Sequence, residues 1–477
     1  MGTTFTDTIS ETPPHSRALV NREDELAAIQ EMLYRLTTPE RLLPKPILEF
    51  NGIGGIGKTT LLKKFWQESK AQKGLRCAFI DFHDFVKERP ANPNRLIGDI
   101  VRQIEIKNDW AARIEASTKD ATSKQDLTSS FIEYLRVILQ TPQPETPLAL
   151  IFDSVDEVDK TIKDWLISLV ERTIEAEKIL FAIASKISLG FDKIPNLEKK
   201  VYSFRLKEFD REFTLRHIEG FSHFDKTENL NNWAHAVFRL TYGHPLANEV
   251  VVEEARKRRY HPQTISSKQY EFIKIIDEQV INEKVFHGYD DKAINRFRQM
   301  LTHLSIPRMF NLVSMGKLIR EFAPEYALRS SWHYSNYVRE LQAETSFVRY
   351  SREKSGYTVD PILRSVFSLT LKNENQIKFM NMHKFLVNMY TGWIADAKGT
   401  DKTKFFLEKI YHQSAIGIST DSLLRQFQKF AEIVGQNMSE DKRRDVKQQF
   451  IEEFSLDPDL SDFFDETMKN DVQQMFE

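Results

Sequence analysis

The residues best suited to chemistry lie in one short stretch, which reads Gly-Ile-Gly-Gly-Ile-Gly-Lys-Thr-Thr from Gly52 to Thr60. It fits the pattern G-x-x-x-x-G-K-[ST], in which glycines let successive backbone N–H groups turn toward a polyphosphate. Lys58 is expected to reach the β- and γ-phosphates, and the Thr59 hydroxyl to hold Mg²⁺. The residues predicted to bind nucleotide here are Gly52, Gly54, Gly55, Ile56, Gly57, Lys58, Thr59 and Thr60.

The flanks of this stretch favour a phosphate site over a glycine-rich turn that binds nothing. Residues 46–50 predict a short strand, and residues 61–66 predict the start of a helix. A helix N-terminus adds partial positive charge to exposed N–H groups, which suits an anion. The sequence therefore predicts that the chain binds a nucleoside triphosphate with Mg²⁺.

A second candidate group follows the apolar run 148–152, which ends in Asp153-Ser154-Val155-Asp156-Glu157. An acidic residue at the tip of a buried strand beside a phosphate loop suits the Mg²⁺ partner in phosphoryl transfer, so we assign that role to Asp153. Asp156 or Glu157 could orient the attacking water as general base. The alternative is that these acidic residues cap the next helix. The nearby phosphate loop favours the catalytic interpretation.

Lys186 is a candidate sensor of the γ-phosphate, because it follows the predicted strand 178–183. A cation just beyond a central strand could reach the phosphate end of the ligand. The competing interpretation, a solvated surface lysine, is common and stays open.

These residues are set in a repeating pattern of strands and helices between residues 46 and 206. Strands are predicted at 46–50, 76–82, 148–152, 178–183 and 201–206. Helices are predicted from Leu96 to Ile104, from Leu127 to Leu139 and from Ile162 to Ile174. Alternating units of this kind predict a doubly wound α/β domain with its ligand at the carboxyl ends of the strands.

The remainder of the chain is predicted to be mostly helical. Residues 208–285 are helical with a break at Gly243-His244-Pro245, and a β-hairpin is predicted near 347–359, after several helices. Beyond residue 400, four short amphipathic stretches could form paired helices or begin a helical array. Asn21 is predicted to cap the helix that starts near Glu23.

Composition sets limits on the class of protein. The 477 residues predict two to four domains, and 41% hydrophobic with 29% charged residues is typical of a globular protein. A net charge of −2 does not favour nucleic acid or an anionic membrane as partner. The single cysteine, Cys77, suits a reducing cytoplasm, and no apolar run is long enough to span a bilayer.

Together these motifs resemble the STAND class of P-loop ATPases, which includes the NB-ARC and NACHT families, over roughly residues 19–395. The segment that begins Leu19-Val20-Asn21-Arg22 is similar to the N-terminal hhGRExE motif, which implies that Val20 and Arg22 contact nucleotide. Asn21 replaces the family glycine, which Asn can do because it tolerates left-handed backbone. The Gly-x-Pro match implies that Pro245 packs near adenine. The Met-His-Asp motif is absent, since Thr358-Val359-Asp360 stands there.

The resemblance implies a P-loop nucleotide-binding domain, a helical lid, a winged helix and a C-terminal helical segment. The expected boundaries are an arm at 1–18, then 19–207, 208–288, 289–395 and 396–477. The implied function is a cytoplasmic switch in signalling or defence, resting with ADP and self-associating with ATP, which it hydrolyses slowly. Effector and sensor are expected to be separate proteins, unless the chain is part of a longer one.

The alternative from another class is a DNA-binding initiator-like AAA+ ATPase that uses its winged helix. The basic run Arg256–Arg259 and the cations Arg349, Arg352 and Lys354 favour it. The near-neutral charge disfavours it, as does Ser154, because the AAA+ pattern has Glu directly after the Mg²⁺-binding Asp.

Overall fold

The structure is a computed structural model, and it divides the chain into two compact units, Met1–Ala234 and His235–Glu477. The residues that it describes are 19–38, 41–88, 92–104, 128–129, 131–133, 135, 147–175, 178–221, 229–352, 354–397, 400–437, 439–456, 460 and 466–475. The predicted arm 1–18 lies outside them, as do Leu127, Ile138 and Leu139 of one predicted helix. Among the described residues, no helix is both long and apolar enough to cross a membrane.

The first unit alternates strands with helices, as predicted. Its strands are β1 Ile47–Asn51, β2 Arg76–Asp81, β3 Leu148–Asp153, β4 Ile179–Ser185 and β5 Val201–Arg205. Its helices are α1 Glu23–Thr37, α2 Lys58–Ala71, α3 Phe82–Glu88, α4 Pro93–Gln103, α5 Lys160–Thr173, α6 Arg211–Glu219 and α7 Leu230–Thr241, which continues into the second unit. Short 3₁₀ turns lie at Val155–Glu157 and Phe191–Lys193.

The five strands form one parallel sheet in the order β2-β3-β4-β1-β5. β4 therefore separates β1, which leads into the phosphate loop, from β3, which ends in Asp153. β3 and β4 are buried at every position, because they lie inside the sheet. The carboxyl ends of all five strands meet at one edge, where a doubly wound sheet places its ligand.

One face of the sheet is covered by a hydrophobic core that includes residues of α4 and α5. Alternate strand residues such as Leu148, Leu150 and Phe152 face this core together with Ile97 and Leu166. The alternation follows from the two-residue period of a strand. This packing holds the strand ends, and the loops that follow them, in fixed positions.

The described part of the second unit is helical except for one hairpin, a bridge and the segments that connect them. Its helices are α8 Pro245–Lys257, α9 Pro262–Ser267, α10 Gln269–Ile276, a π-helix at Asp277–Val285, α11 Asp291–Leu304, α12 Leu312–Phe322, α13 Ser331–Glu344, α14 Pro361–Glu374, α15 Gln376–Asp396, α16 Thr400–Ala415, α17 Thr420–Asn437, α18 Glu440–Leu456 and α19 Glu466–Gln474. The antiparallel strands β6 Val348–Ser351 and β7 Gly356–Val359 form the hairpin, and Phe310 bridges to Tyr357. The order along the chain is α11, the bridge at Phe310, α12, α13 and the hairpin, which is the order that a winged helix requires. The winged-helix assignment stays a prediction.

The C-terminal helices share a core of their own, which includes Phe406, Phe427 and Phe450. α16 is also tied to the segment between α11 and α12 by a buried ion pair: Arg308 pairs with Glu408 at 2.6 Å, and both side chains are 2% exposed. His412 and His383 approach through their Nδ1 atoms at 2.9 Å. The helices after residue 400 are therefore packed against the rest of the second unit.

Candidate functional site

The phosphate loop connects β1 to α2 and uses its glycines in two ways. Gly55 and Gly57 have φ of 82° and 101°, in the region that favours glycine. Gly52 has φ of 154°, and a Cβ there would lie 3.1 Å from the Leu206 carbonyl oxygen. Gly57 is also the N-cap of α2, whose first turn carries no acidic residue. The loop thus leads into a helix N-terminus whose charge suits an anion.

Lys58 folds back onto the loop. Its ammonium donates to the carbonyl oxygens of Gly52 at 2.7 Å and Ile53 at 3.1 Å. Burial lowers the pKa of Lys58 to about 8, while the carboxylates of Asp156 and Asp153 act in the opposite direction. A polyphosphate in the loop would supply the negative charge that this ammonium lacks.

Asp153 lies at the end of β3 and is 1% exposed. Its Oδ1 accepts from the backbone N–H of Ser154 at 2.8 Å, and its Oδ2 is buried without a close hydrogen-bond partner among the residues that the structure describes. Burial raises the pKa of Asp153 to about 6, and the hydroxyl of Thr59 lowers it in part. A buried carboxylate oxygen that makes no close hydrogen bond within the described part of the chain, with a threonine hydroxyl nearby, fits a divalent cation with oxygen ligands. Thr59 and Asp153 are therefore the residues that would hold Mg²⁺.

The two candidate bases, Asp156 and Glu157, lie in the 3₁₀ turn just after Asp153. Asp156 Oδ1 accepts from the backbone N–H of Lys186 at 2.8 Å, and its Oδ2 is 3.6 Å from Lys186 Nζ. Both oxygens of Glu157 contact His83 Nδ1, at 2.9 and 3.1 Å. Each carboxylate is held by a partner on another strand end, and the assignment of the base stays a prediction.

Lys186 is not the solvated surface residue of the competing interpretation, since only 10% of its side chain is exposed. It follows β4 directly, and its positive charge lowers the pKa of Lys58. The structure thus brings Lys186, Asp156, Asp153 and Lys58 into one electrostatic cluster. Whether Lys186 senses the γ-phosphate stays a prediction.

The residue that begins the first helix is not the one predicted. The N-cap of α1 is Arg22, not Asn21, and no side chain in the described ranges makes a capping hydrogen bond to the helix. Asn21 adopts a left-handed φ of 54°, as its place in the motif implied. The Arg22 guanidinium donates to the carbonyl oxygens of Ile56 and Lys207, both at 3.0 Å. It thereby joins the phosphate loop to the chain that follows β5.

The remaining predicted nucleotide contacts are placed as follows. Val20 is half-buried just before Asn21, and Thr60 is exposed in the first turn of α2. Gly54 and Ile56 are buried within the loop. Pro245 is the first residue of α8 in the second unit, after Tyr242 and Gly243 in left-handed conformations. The adenine contact of Pro245 stays a prediction.

Sequence reasoning missed two polar residues at this edge of the sheet, Asp81 and His83. Asp81 is the last residue of β2 and the register partner of Asp153. Burial raises the pKa of Asp81, whose Oδ1 accepts from the His83 backbone N–H at 3.0 Å. An acidic residue at the end of a predicted strand was a visible signal. The sequence does not show, however, that β2 lies beside β3.

The parallel sheet, the glycine loop between β1 and α2 and the aspartate ending β3 define an α/β P-loop NTPase fold. Residues 36–186 match the family model for the N-terminal region of nephrocystin 3. No curated protein has a sequence that matches this chain.

Two solved structures are similar to this chain, and only the first has a TM-score above 0.5. The Walker-type ATPase PABY2304 of Pyrococcus abyssi is 15% identical, with a TM-score of 0.51 over 75% of this chain and 99% of that chain. The Aeropyrum pernix ORC2 protein in ADPNP–ADP complexes is 14% identical, with a TM-score of 0.47 over 76% of this chain and 97% of that chain. At such identities the likeness concerns the fold alone.

Proposed function

We propose that this protein is a STAND-type ATP-dependent switch in signal transduction or defence. It rests with ADP, assembles with ATP and hydrolyses ATP slowly. The observation that carries the proposal is the cluster of Lys58, Asp153, Asp156 and Lys186 around the phosphate loop. Ser154, left-handed with φ 57°, stands directly after Asp153 and supports the STAND pattern over the AAA+ one.

Nucleotide binding is proposed to use groups that the free protein leaves poorly compensated. The loop amides and Lys58 would bind the phosphates, and Thr59 with Asp153 would hold Mg²⁺. When bound, Mg²⁺ would neutralise charge on the phosphate oxygens. Lys58 would then exchange its two loop carbonyl contacts for phosphate.

Slow hydrolysis is supported by the pairing of both candidate bases. A carboxylate can orient a water only if an oxygen is accessible to it, and His83 contacts both oxygens of Glu157. Asp156 accepts a hydrogen bond from the backbone N–H of Lys186 and also faces the ammonium of its side chain. Turnover would therefore require at least one of these pairs to separate.

The switch itself requires that ATP and ADP differ in affinity for the two states. Lys186 is proposed to supply this difference, because it can interact with a γ-phosphate that ADP lacks. Self-association with ATP, and separate effector and sensor proteins, are part of the proposal. The helices of 396–477 are the proposed dock for a partner.

Nucleotide retention and solution mass test the proposal. Boiled extract of the purified protein should release ADP or ATP on chromatography, and Lys58→Ala should abolish retention. Light scattering should give a larger mass with a non-hydrolysable ATP analogue than with ADP. Equal masses with the two nucleotides would contradict the switch. If the purified wild type retains no nucleotide and also binds none in solution, the proposed site is wrong.

Two substitutions separate binding from turnover. Glu157→Gln and Asp156→Asn should each retain nucleotide, whereas Asp153→Ala should weaken Mg²⁺-dependent binding. Replacing the carboxylate that acts as the base should lower turnover about 100-fold. Normal turnover in both variants would show that neither is the base.

DNA binding remains the second candidate, supported by exposed Arg352 on the hairpin turn. The basic run is less available, since Arg258 pairs with Glu254 and Glu271 and Lys257 with Glu254. DNA affinity that falls steeply between low and moderate salt would favour this function. Absence of binding at low salt would exclude it.

A further inference from the structure

Glu49 is a charged residue in the middle of β1, and its side chain is fully buried. Its register partners on the neighbouring strands are Ile183 of β4 and Ser203 of β5. An ionisable carboxyl in the centre of a parallel sheet is costly unless hydrogen bonds satisfy it. Its donors therefore indicate why this position carries a glutamate.

Most of the donors come from one segment, Lys186–Gly190, which we call the post-β4 segment. Ser188 Oγ lies 3.0 and 2.9 Å from the two carboxylate oxygens, and the Leu189 backbone N–H donates at 2.6 Å. Ser203 Oγ of β5 donates to Oε2 at 2.7 Å. Glu49 thus fastens the post-β4 segment to the strand that leads, three residues later, into the phosphate loop.

The post-β4 segment begins with Lys186, which has an anchor of its own. Asp156 accepts from the Lys186 backbone N–H at 2.8 Å and faces its ammonium at 3.6 Å. The segment is therefore held at its start by Asp156, which follows β3, and near its end by Glu49 of β1. If the second anchor were lost, the segment would keep the contacts of Lys186 with Asp156 and the packing of Leu189 against the core, but the polar contacts that tie it to β1 would be gone.

We propose that Glu49 is a positioning residue that holds the post-β4 segment so that Lys186 distinguishes ATP from ADP. The inference rests on the proposed sensing role of Lys186. Glu49 touches neither nucleotide nor metal in this scheme and acts only through Ser188 and Leu189. ADP binding, which does not need Lys186, should be independent of this anchor.

Ser188 and Ser203 form a matched pair for the test, because both donate to the same carboxylate and only Ser188 belongs to the segment. The measurement is the ratio of dissociation constants for ADP and a non-hydrolysable ATP analogue, obtained by competition with a fluorescent nucleotide. Lys186→Ala should lower the preference for ATP about tenfold, and Ser188→Ala about threefold. Ser203→Ala should leave the ratio unchanged, ADP affinity should be equal in the wild type and the serine variants, and Ser188→Thr should restore the preference.

The outcomes separate this inference from the proposed function. An unchanged ratio in Lys186→Ala would overturn the sensing role of Lys186 and the inference with it. A lowered ratio in Lys186→Ala with an unchanged ratio in Ser188→Ala would overturn only the inference. Equal changes in Ser188→Ala and Ser203→Ala would also overturn it, because Glu49 would then act only as a structural bond within the sheet.

Discussion

The chemistry of the site at the residue scale is set by charges that burial leaves poorly compensated. Lys58 has a pKa lowered to about 8 and Asp153 a pKa raised to about 6, both mainly through burial. Both shifts oppose the charged form, and a bound phosphate and metal would reverse them. The titration of these residues therefore reports ligand binding directly.

Proton uptake by Lys58 is the first prediction. At pH 8 about half of the free protein has a neutral Lys58, and a bound polyphosphate raises its pKa, so binding takes up about half a proton per site. Calorimetry of ADP binding in two buffers of different ionisation enthalpy measures this uptake. Uptake should vanish at pH 6.5, where Lys58 is already charged in the free protein, and an equal uptake at that pH would assign the proton elsewhere.

The second prediction concerns Asp81, whose charge raises the pKa of Asp153. Mg²⁺-dependent nucleotide affinity should increase as pH rises through about 6, because Asp153 must ionise to bind the metal. Asp81→Asn removes a neighbouring negative charge and should move this midpoint below pH 6. Asp84→Asn is the control, since Asp84 acts on Asp81 rather than on Asp153. Equal midpoints in wild type and Asp81→Asn would contradict the coupling.

Arg22 shows how one side chain connects elements. It is 3% exposed, bonds the carbonyl oxygens of Ile56 and Lys207, and lies over the Phe209 ring at 5.3 Å. α1, the phosphate loop and the segment after β5 therefore meet at one guanidinium. The planar, multiply donating group of arginine suits this role better than an ammonium.

Replacing Arg22 gives the third prediction. Arg22→Ala should lower the free energy of unfolding by about 2–4 kcal/mol, because it removes charged donors from two carbonyls and leaves a cavity. Arg35→Ala on the same helix should cost less than about 0.5 kcal/mol, since Arg35 makes an exposed pair with Glu31. Urea unfolding measures both. Equal losses would show that Arg22 does not join these elements.

The sequence predicted the positions of the strands well, but not which strands lie next to each other in the sheet. The five predicted strands match β1 to β5 to within about two residues, because buried parallel strands are short apolar runs bounded by polar turns. Strand order is not contained in such runs. The pairing of Glu157 with His83, and the donors of Glu49 from residues 139 and 154 positions away, depend on that order.

The same limit explains what could and could not be predicted of the site. The sequence singles out the phosphate loop, Asp153 and Lys186 because each is adjacent in sequence to a recognisable strand. Asp81 and His83 also follow a strand, but their relevance depends on β2 lying next to β3. The N-cap was misplaced by one residue, because Asn21 is used for its left-handed backbone instead of its side chain.

The last prediction concerns the His383–His412 pair, which joins α15 to α16 within the second unit. Both side chains are fully buried, and burial lowers the pKa of His383 to about 3 and that of His412 well below its ordinary value. The positive charges of Arg308 and Arg364 act in the same direction, and Glu408 neutralises Arg308 through its ion pair. Both imidazoles are therefore neutral in the folded protein at neutral pH.

Acid should destabilise this part of the chain. As pH falls below about 6.5 the unfolded chain binds protons at both histidines and the folded chain does not, so stability falls by about 2.7 kcal/mol per pH unit for the pair. The effect begins at 6.5 and ends only near the folded pKa values, about 3 for His383. Hydrogen exchange of peptides from α15 and α16 in graded urea, at pH 7.5 and 5.5, measures it.

The control is the double variant His383→Gln, His412→Gln. Its stability should be lower at both pH values because two buried amides replace two imidazoles, but the additional loss between pH 7.5 and 5.5 should disappear. The pH dependence, and not the level of stability, identifies the histidines as its cause. The same slope in wild type and variant would place the titrating groups elsewhere. α15 and α16 would then be joined chiefly by apolar packing, such as that of Tyr390 and Trp393 against Phe405.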